Sequence, residues 1–231
     1  MFYSCGYLTS IPEGLLPATT LAPYCYSHMF AECSSLTSIP EGLLPATTLA
    51  RSCYEYMFDR CSSLTSIHEG LLPATTLARC CYEGMFATCS SLTSIPAGLL
   101  PATTLAPYCY SHMFFNTGLT SIPENLLPAT TLERSCYGYM FANCSNILKS
   151  PVLPARDLVE YCYQYMFTHC KKLCEITFNG VQINSDFTEG WCIDVSSTGK
   201  IISLNKDLEI IPGPGGVPEG WEVIYKDSTT N

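Results

Sequence analysis

Fifteen cysteines and four histidines are the residues of this 231-residue chain best suited to metal or redox chemistry. Cys25 with His28, and Cys109 with His112, are Cys-x-x-His pairs with the spacing of zinc ligands. A structural zinc needs four converging donors, and the equivalent places between the two pairs hold Tyr56 and Gly84. No metal and no other cofactor is therefore expected. Cys5, Cys33, Cys61, Cys89, Cys144 and Cys170 each follow a Met-Phe pair, while Cys25, Cys53, Cys81, Cys109, Cys136 and Cys162 each precede a Tyr. Such regular placement predicts columns of buried free thiols that act as small hydrophobes in a reducing or anaerobic setting. Selected disulfides remain the alternative, disfavoured because stacked equivalent side chains point the same way. Glu13, Glu41, Glu69 and Glu124 recur at one turn position and predict a solvated stripe, with weak calcium binding as the alternative. Acid–base catalysis needs partners in unlike environments, which a stripe of one residue type does not supply. Threonine pairs such as Thr47 with Thr48 suit extended backbone and cross-coil hydrogen bonding, with ordered water or ice as the remote alternative. His68 and His169 are expected to be exposed. No nucleophile elbow, phosphate loop or His-Glu metal motif occurs, so no enzyme is expected.

Composition narrows the partners. The net charge is −9 with 11 Lys plus Arg, which leaves no footprint for a phosphate backbone and excludes nucleic acid. Only 13% of residues are charged and 47% are hydrophobic, the mark of an ordered protein. No apolar run approaches the roughly 18 residues needed to span a bilayer, so no membrane insertion is expected. The opening MFYSCGYLTS has neither the basic nor the apolar region of a signal peptide.

The elements that must position these residues follow from a repeat. Met-Phe occurs at Met1, Met29, Met57, Met85, Met113, Met140 and Met166, which are all 7 methionines. The intervals are 28 residues four times, then 27 and 26, as in a solenoid whose units bury their apolar faces only against each other. Within one unit, residues 36–39 (LTSI) predict a short strand and residues 46–50 (ATTLA) a second extended segment. Residues 51–60 (RSCYEYMFDR) contain no Gly or Pro and predict one to two helical turns, which Pro23 and Pro107 open in the first and fourth copies. Leu36, Ile39, one or both of Leu43 and Leu44, Leu49, Tyr54, Met57 and Phe58 are the expected core.

The motif MFxxCSSLTSIP, repeated over residues 1–174, resembles the BspA-like leucine-rich repeats of bacterial surface proteins. The unit is longer than the family's usual repeat, Met stands where Ala is more common, and LLPATTLA is an addition. The resemblance implies a leucine-rich-repeat solenoid used for adhesion or recognition at the cell surface or after secretion, with no catalytic residues. The expected fold class is thus a repeat solenoid of leucine-rich-repeat type, with short stacked β-strands, short helical segments and a small C-terminal β cap. Residues 1–174 form the solenoid and residues 175–231 the cap, in which EITFNG, WCIDVSS, KIISLN and WEVIY are strand candidates and STG a hairpin turn. Met1 and Phe2 occupy positions inside a repeat, so the first core layer is expected to be exposed. A part further upstream, packing on another copy, or a tolerant first coil would each account for that.

Variation between nearly identical units marks the side that faces solvent, because core positions cannot change without a volume penalty. One variable series contains Tyr24, Arg51, Arg79, Tyr108, Arg134 and Tyr161; the other contains His28, Tyr56, His112, Tyr139 and Tyr165. Rigid amphipathic side chains of these types make a binding face for a host or neighbouring-cell protein or glycan. Ordinary surface drift, with local pairs such as Arg51 with Glu55 and Arg79 with Glu83, is the plainer reading. The alternative function is structural: a spacer that self-associates through its uncapped first coil, or a phage fibre component.

Overall fold

A computed structural model, which describes residues 1–226, stacks each Met-Phe repeat as one coil on the next. The stretch read as helical is instead a ladder of turns. From residue 24 to residue 33 the N–H groups alternate between two destinations. Cys25, Ser27, Met29, Ala31 and Cys33 bond to the carbonyl three residues back, at 3.1–3.3 Å. Tyr24, Tyr26, His28, Phe30 and Glu32 donate instead to Arg51, Cys53, Glu55, Met57 and Asp59 of the following coil, at 2.7–3.0 Å. An α-helix would use every one of these donors internally and leave adjacent coils unlinked. Left-handed φ values recur at every fourth residue, Tyr24 (60°), His28 (55°) and Glu32 (62°), which also rules out a helix. In the third ladder Cys53 and Tyr54 point in, Glu55 and Tyr56 lie partly exposed, Met57 and Phe58 point in again, and Asp59 and Arg60 face out. This period of four is close enough to 3.6 to imitate an amphipathic helix in the sequence. Among the described residues the one α-helix is α1, Ser185–Thr188, capped by the Asn184 side chain.

The core is a set of columns. Phe2, Phe30, Phe58, Phe86, Phe114, Phe141 and Phe167 stack with centroids 5.4–5.9 Å apart and planes within 8° of parallel. Tyr26, Tyr54, Tyr82, Tyr110, Tyr137 and Tyr163 form a second column at 5.7–6.0 Å. Leu43 and Leu44 are both buried. All the cysteines are free and ten of them are buried in the core; Cys61, Cys89 and Cys170 each donate to a Phe carbonyl of the preceding coil at 3.1–3.2 Å. Thr117 stands in this column in the shortened fifth repeat, bonded to the Phe114 carbonyl (3.0 Å) and the Cys144 thiol (3.1 Å). A hydroxyl replaces the thiol there without leaving a buried polar atom unpaired.

Regular strands appear late. In the earlier coils the LTSI and ATTLA segments form no strand; ATTLA contributes the isolated parallel bridges Thr48–Thr76 and Thr104–Thr131. Prolines 12, 40, 96 and 123 follow the LTSI segment and withhold a ladder donor. A four-stranded parallel sheet forms from β1 (Lys149–Leu153), β2 (Glu175–Phe178), β4 (Gly199–Ser203) and β6 (Trp221–Tyr225), in that order. β3 (Gln182–Ile183) pairs in parallel with β5 (Glu209–Ile210). β1 contains Pro151, and its register slips between Lys149 and Val152. β2, β4 and β6 lack proline and pair without a slip.

Three of the four strand candidates in the C-terminal segment are strands, but the hairpin at STG does not form, because β4 pairs in parallel with β2 and β6. WCIDVSS is not a strand either. The carbonyls of Trp191 and Ile193 accept from Phe167 and His169, as one more rung of the turn ladder. Phe178 meets the Tyr163 ring edge-on at 6.2 Å, and fully buried Trp191 meets Phe178 at 5.7 Å, so the tyrosine column ends on an edge-on ring. At the other end Phe2 packs on Phe30, while Met1, Tyr3 and Tyr7 are exposed.

Candidate recognition surface

Each turn ladder projects residues outward in an order set by its hydrogen bonds, so equivalent side chains of successive coils stand in files. Three files run along this face, at or beside the left-handed positions of the ladder; in the first, Arg51, Arg79 and Arg134 each precede the left-handed residue Ser52, Cys80 or Ser135. The first two hold the series that variation had marked. Tyr24, His28, Arg51, Arg79 and Arg134 are exposed, and Tyr56, Tyr108, His112, Tyr139, Tyr161 and Tyr165 are half-buried. None belongs to the core, and neighbouring coils bring them into contact.

Along the first file Arg51 lies over the Tyr24 ring (5.6 Å to its centroid), Arg79 over Tyr108 (4.9 Å) and Arg134 over Tyr161 (5.4 Å). The pairs Arg51 with Glu55 and Arg79 with Glu83 do not form ion pairs among the described residues. On a turn ladder residues four apart are not the close neighbours they are on a helix, and each guanidinium finds an aromatic face on the adjacent coil instead. Arg134 also holds Glu160 at 2.7 Å.

The second file is aromatic. His28 stacks on Tyr56 (5.3 Å), His112 on Tyr139 (4.6 Å) and Tyr139 on Tyr165 (4.8 Å). Gly84 and Gly190 interrupt it because a Cβ at either would run into the ring of Tyr56 or Tyr165, which lies over it. Both glycines have left-handed φ, 58° and 60°. Burial, with Glu83, Asp59 and Glu55 adding to it, pushes the Tyr56 hydroxyl up to about 12. The His112 imidazole is shifted down by burial and favours its neutral form. Ser27 and Ser111 meet the Nδ1 atoms of His28 and His112, each at 2.9 Å.

The third file escaped the sequence reading. Glu32, Arg60, Thr88, Asn116, Asn143, His169 and Asp194 occupy its left-handed positions. Arg60 bonds to Glu32 (2.9 Å), Tyr3 donates to the same carboxylate (3.1 Å), and His169 meets Asp194 (3.0 Å). Its signal is a third variable column, four residues after the second, obscured because two Met-Phe-flanking positions vary together. His68, expected to be exposed, is half-buried between the Pro40 and Glu69 carbonyls at 3.1 and 2.9 Å.

The Cys-x-x-His pairs do not converge. Cys109 is fully buried in a core column, whereas His112 stacks on Tyr139 at the surface. Among the described residues no group of three or more His, Cys, Asp or Glu is placed to hold a metal. The stripe of Glu13, Glu41, Glu69 and Glu124 is exposed, as are all ten residues of the five threonine pairs. Burial pushes the Cys53 and Cys61 thiols up to about 12, which keeps them protonated and unreactive.

No helix among the described residues is long and apolar enough to cross a membrane. No curated protein matches the sequence. A solved leucine-rich repeat protein from Bacteroides ovatus ATCC 8483 is similar at 14% identity, covering 97% of this chain and 76% of that one, with a TM-score of 0.21. That score is too low to support the fold, which rests on the coil geometry above. The BspA type leucine rich repeat region matches in 6 copies, over residues 1–147 and 127–197. Repeats of that type form modules that are typically non-catalytic and surface-associated, commonly in adhesion. Stacked coils of one repeating unit and a match along most of the sequence lead to one conclusion: the chain belongs to the BspA type leucine rich repeat family.

Proposed function

We propose that the chain is a non-catalytic recognition module of a bacterial surface protein, which binds a protein or glycan partner through the turn face. The observation that carries this reading is the contrast between scaffold and face. Core columns repeat the same residue coil after coil, while the outward files change among Tyr, His, Arg, Glu and Asn on a backbone that does not change. Stacking holds these side chains in place, so little conformational freedom is lost when a partner binds. Several coils acting together add their contacts to one extended ligand. The test is a glycan and matrix-protein array probed with the full chain and with the Tyr56→Ala, Tyr139→Ala double variant. Binding that the double variant loses supports the reading. A blank array, or binding that the double variant keeps, overturns it.

A further inference from the structure

We infer that the open edge of β6 pairs with the same edge of a second copy of the chain, antiparallel and centred on Ile224, to form a closed two-fold dimer. This goes beyond the recognition reading and uses none of the turn-face residues.

β6 ends the four-stranded sheet and, among the described residues, has a strand partner on one edge only. The Lys226 N–H donates to the Ser203 carbonyl of β4 at 2.9 Å, and Tyr225 stands opposite Ser203 in the register. Backbone groups alternate in direction along a strand, so Ile224 and Lys226 face β4 while the N–H and C=O of Val223 and Tyr225 face the open edge. No bond to these four groups occurs among the described residues. Sheet edges are ordinarily blunted by proline, a bulge or an inward-pointing charge. β6 has no proline and keeps its register with β4 unbroken over Trp221–Tyr225. Val223 and Tyr225, which share the face of buried Trp221, carry no charge.

The strand's own residues select the partner and the register. Backbone groups at the open edge must meet backbone groups at an open edge, which excludes registers shifted by one residue. Centring on Ile224 sets Val223 opposite the partner's Tyr225, and Tyr225 opposite the partner's Val223, each pair exchanging both backbone bonds. On the outer face it sets Glu222 opposite the partner's Lys226, and Lys226 opposite the partner's Glu222. Neither Glu222 nor Lys226 makes an ion pair within the chain among the described residues. Moving the centre to Val223 or Tyr225 brings Ile224 opposite Glu222 or Lys226 and breaks both charge pairs. Ile224 is 43% and Tyr225 48% exposed, so the contact covers apolar surface as well as backbone. A contact between identical patches closes on itself and stops at two copies.

Sedimentation equilibrium of the full chain over a wide range of concentration tests the inference, and a monomer–dimer equilibrium is expected. Glu222→Lys and Lys226→Glu each turn two attractive cross-strand pairs into repulsive ones, and each should weaken dimerisation by about tenfold. An equimolar mixture of these two variants restores opposite charges at both pairs and should recover the dimer as a mixed species, which no folding defect would allow. The double variant Glu222→Lys, Lys226→Glu should dimerise like the parent chain. A chain that stays monomeric overturns the inference. A dimer that neither single variant weakens, or that the mixture fails to recover, overturns it equally, because the copies then meet elsewhere or in another register.

Discussion

Replacing Tyr82 by Phe removes one oxygen from the middle of the tyrosine column, and the structure gives that change an unusual sign. The Tyr82 side chain is 1% exposed, and its hydroxyl, like those of Tyr54, Tyr110 and Tyr163, has no hydrogen-bond partner among the described residues. A buried hydroxyl without a partner costs about 1–3 kcal/mol in lost hydration. The ring itself is held by Tyr54 at 5.7 Å and Tyr110 at 5.9 Å, and Phe keeps both contacts. Tyr82→Phe should therefore stabilise the chain by about 1 kcal/mol, the low end of that range, which raises Tm by roughly 2–4 °C at this chain length. Phe86→Leu is the control: it removes a ring stacked at 5.7 and 5.8 Å on its two faces and should cost about 1–3 kcal/mol. The assay is urea unfolding followed by far-UV circular dichroism, comparing midpoints only where the slopes agree, since repeat arrays can lose cooperativity. If Tyr82→Phe instead lowers stability by 1 kcal/mol or more, the hydroxyl is hydrogen-bonded in solution and the reasoning fails.

Three further outcomes are expected. With a thiol reagent, the native chain should react at no more than the five accessible cysteines, Cys5, Cys25, Cys80, Cys174 and Cys192, and at all 15 once denatured; rapid native reaction at more sites would contradict the buried columns. Gly84→Ala should destabilise by about 1–2 kcal/mol from its left-handed φ alone and should also displace the Tyr56 ring, read as a lower urea midpoint and a changed near-UV spectrum; an unchanged protein would mean that the ring does not rest on Gly84. Burial lowers the His112 pKa below its unfolded value of about 6.5, so the folded state binds fewer protons and stability, intact above that pH, falls as the medium is acidified below it. His112→Phe should flatten that acid limb of a stability–pH curve, and an equally steep limb would exclude this histidine as its source.

The solenoid, the core columns and the free thiols were legible because a repeat converts one local preference into many identical ones. Leu36, Tyr54, Met57 and Phe58 recur in register, and only stacking buries them all. The helical reading of residues 51–60 failed for a physical reason. Paired inward residues recurring every four positions satisfy a helical period, while the destination of each N–H, on the next coil or three residues back, leaves no trace in composition. The C-terminal strands were found from their β-branched residues, but their parallel pairing was not, since a strand's pattern is the same whichever direction its neighbour runs.

The same division applies to the surface. Position-by-position variation was enough to assign Tyr24, Arg51, Tyr56 and Tyr139 to the outside, because only solvent tolerates such changes in size and charge. Which side chains touch was decided by the stacking of coils. Arg51 and Glu55 are close along the chain and form no ion pair, whereas Arg51 and Tyr24 lie 27 residues apart and meet at 5.6 Å. Sequence alone thus determined the period, the core and the outward faces of this protein. The tertiary structure decided the partners, because interactions between coils depend on the registry of backbone hydrogen bonds that no single coil contains.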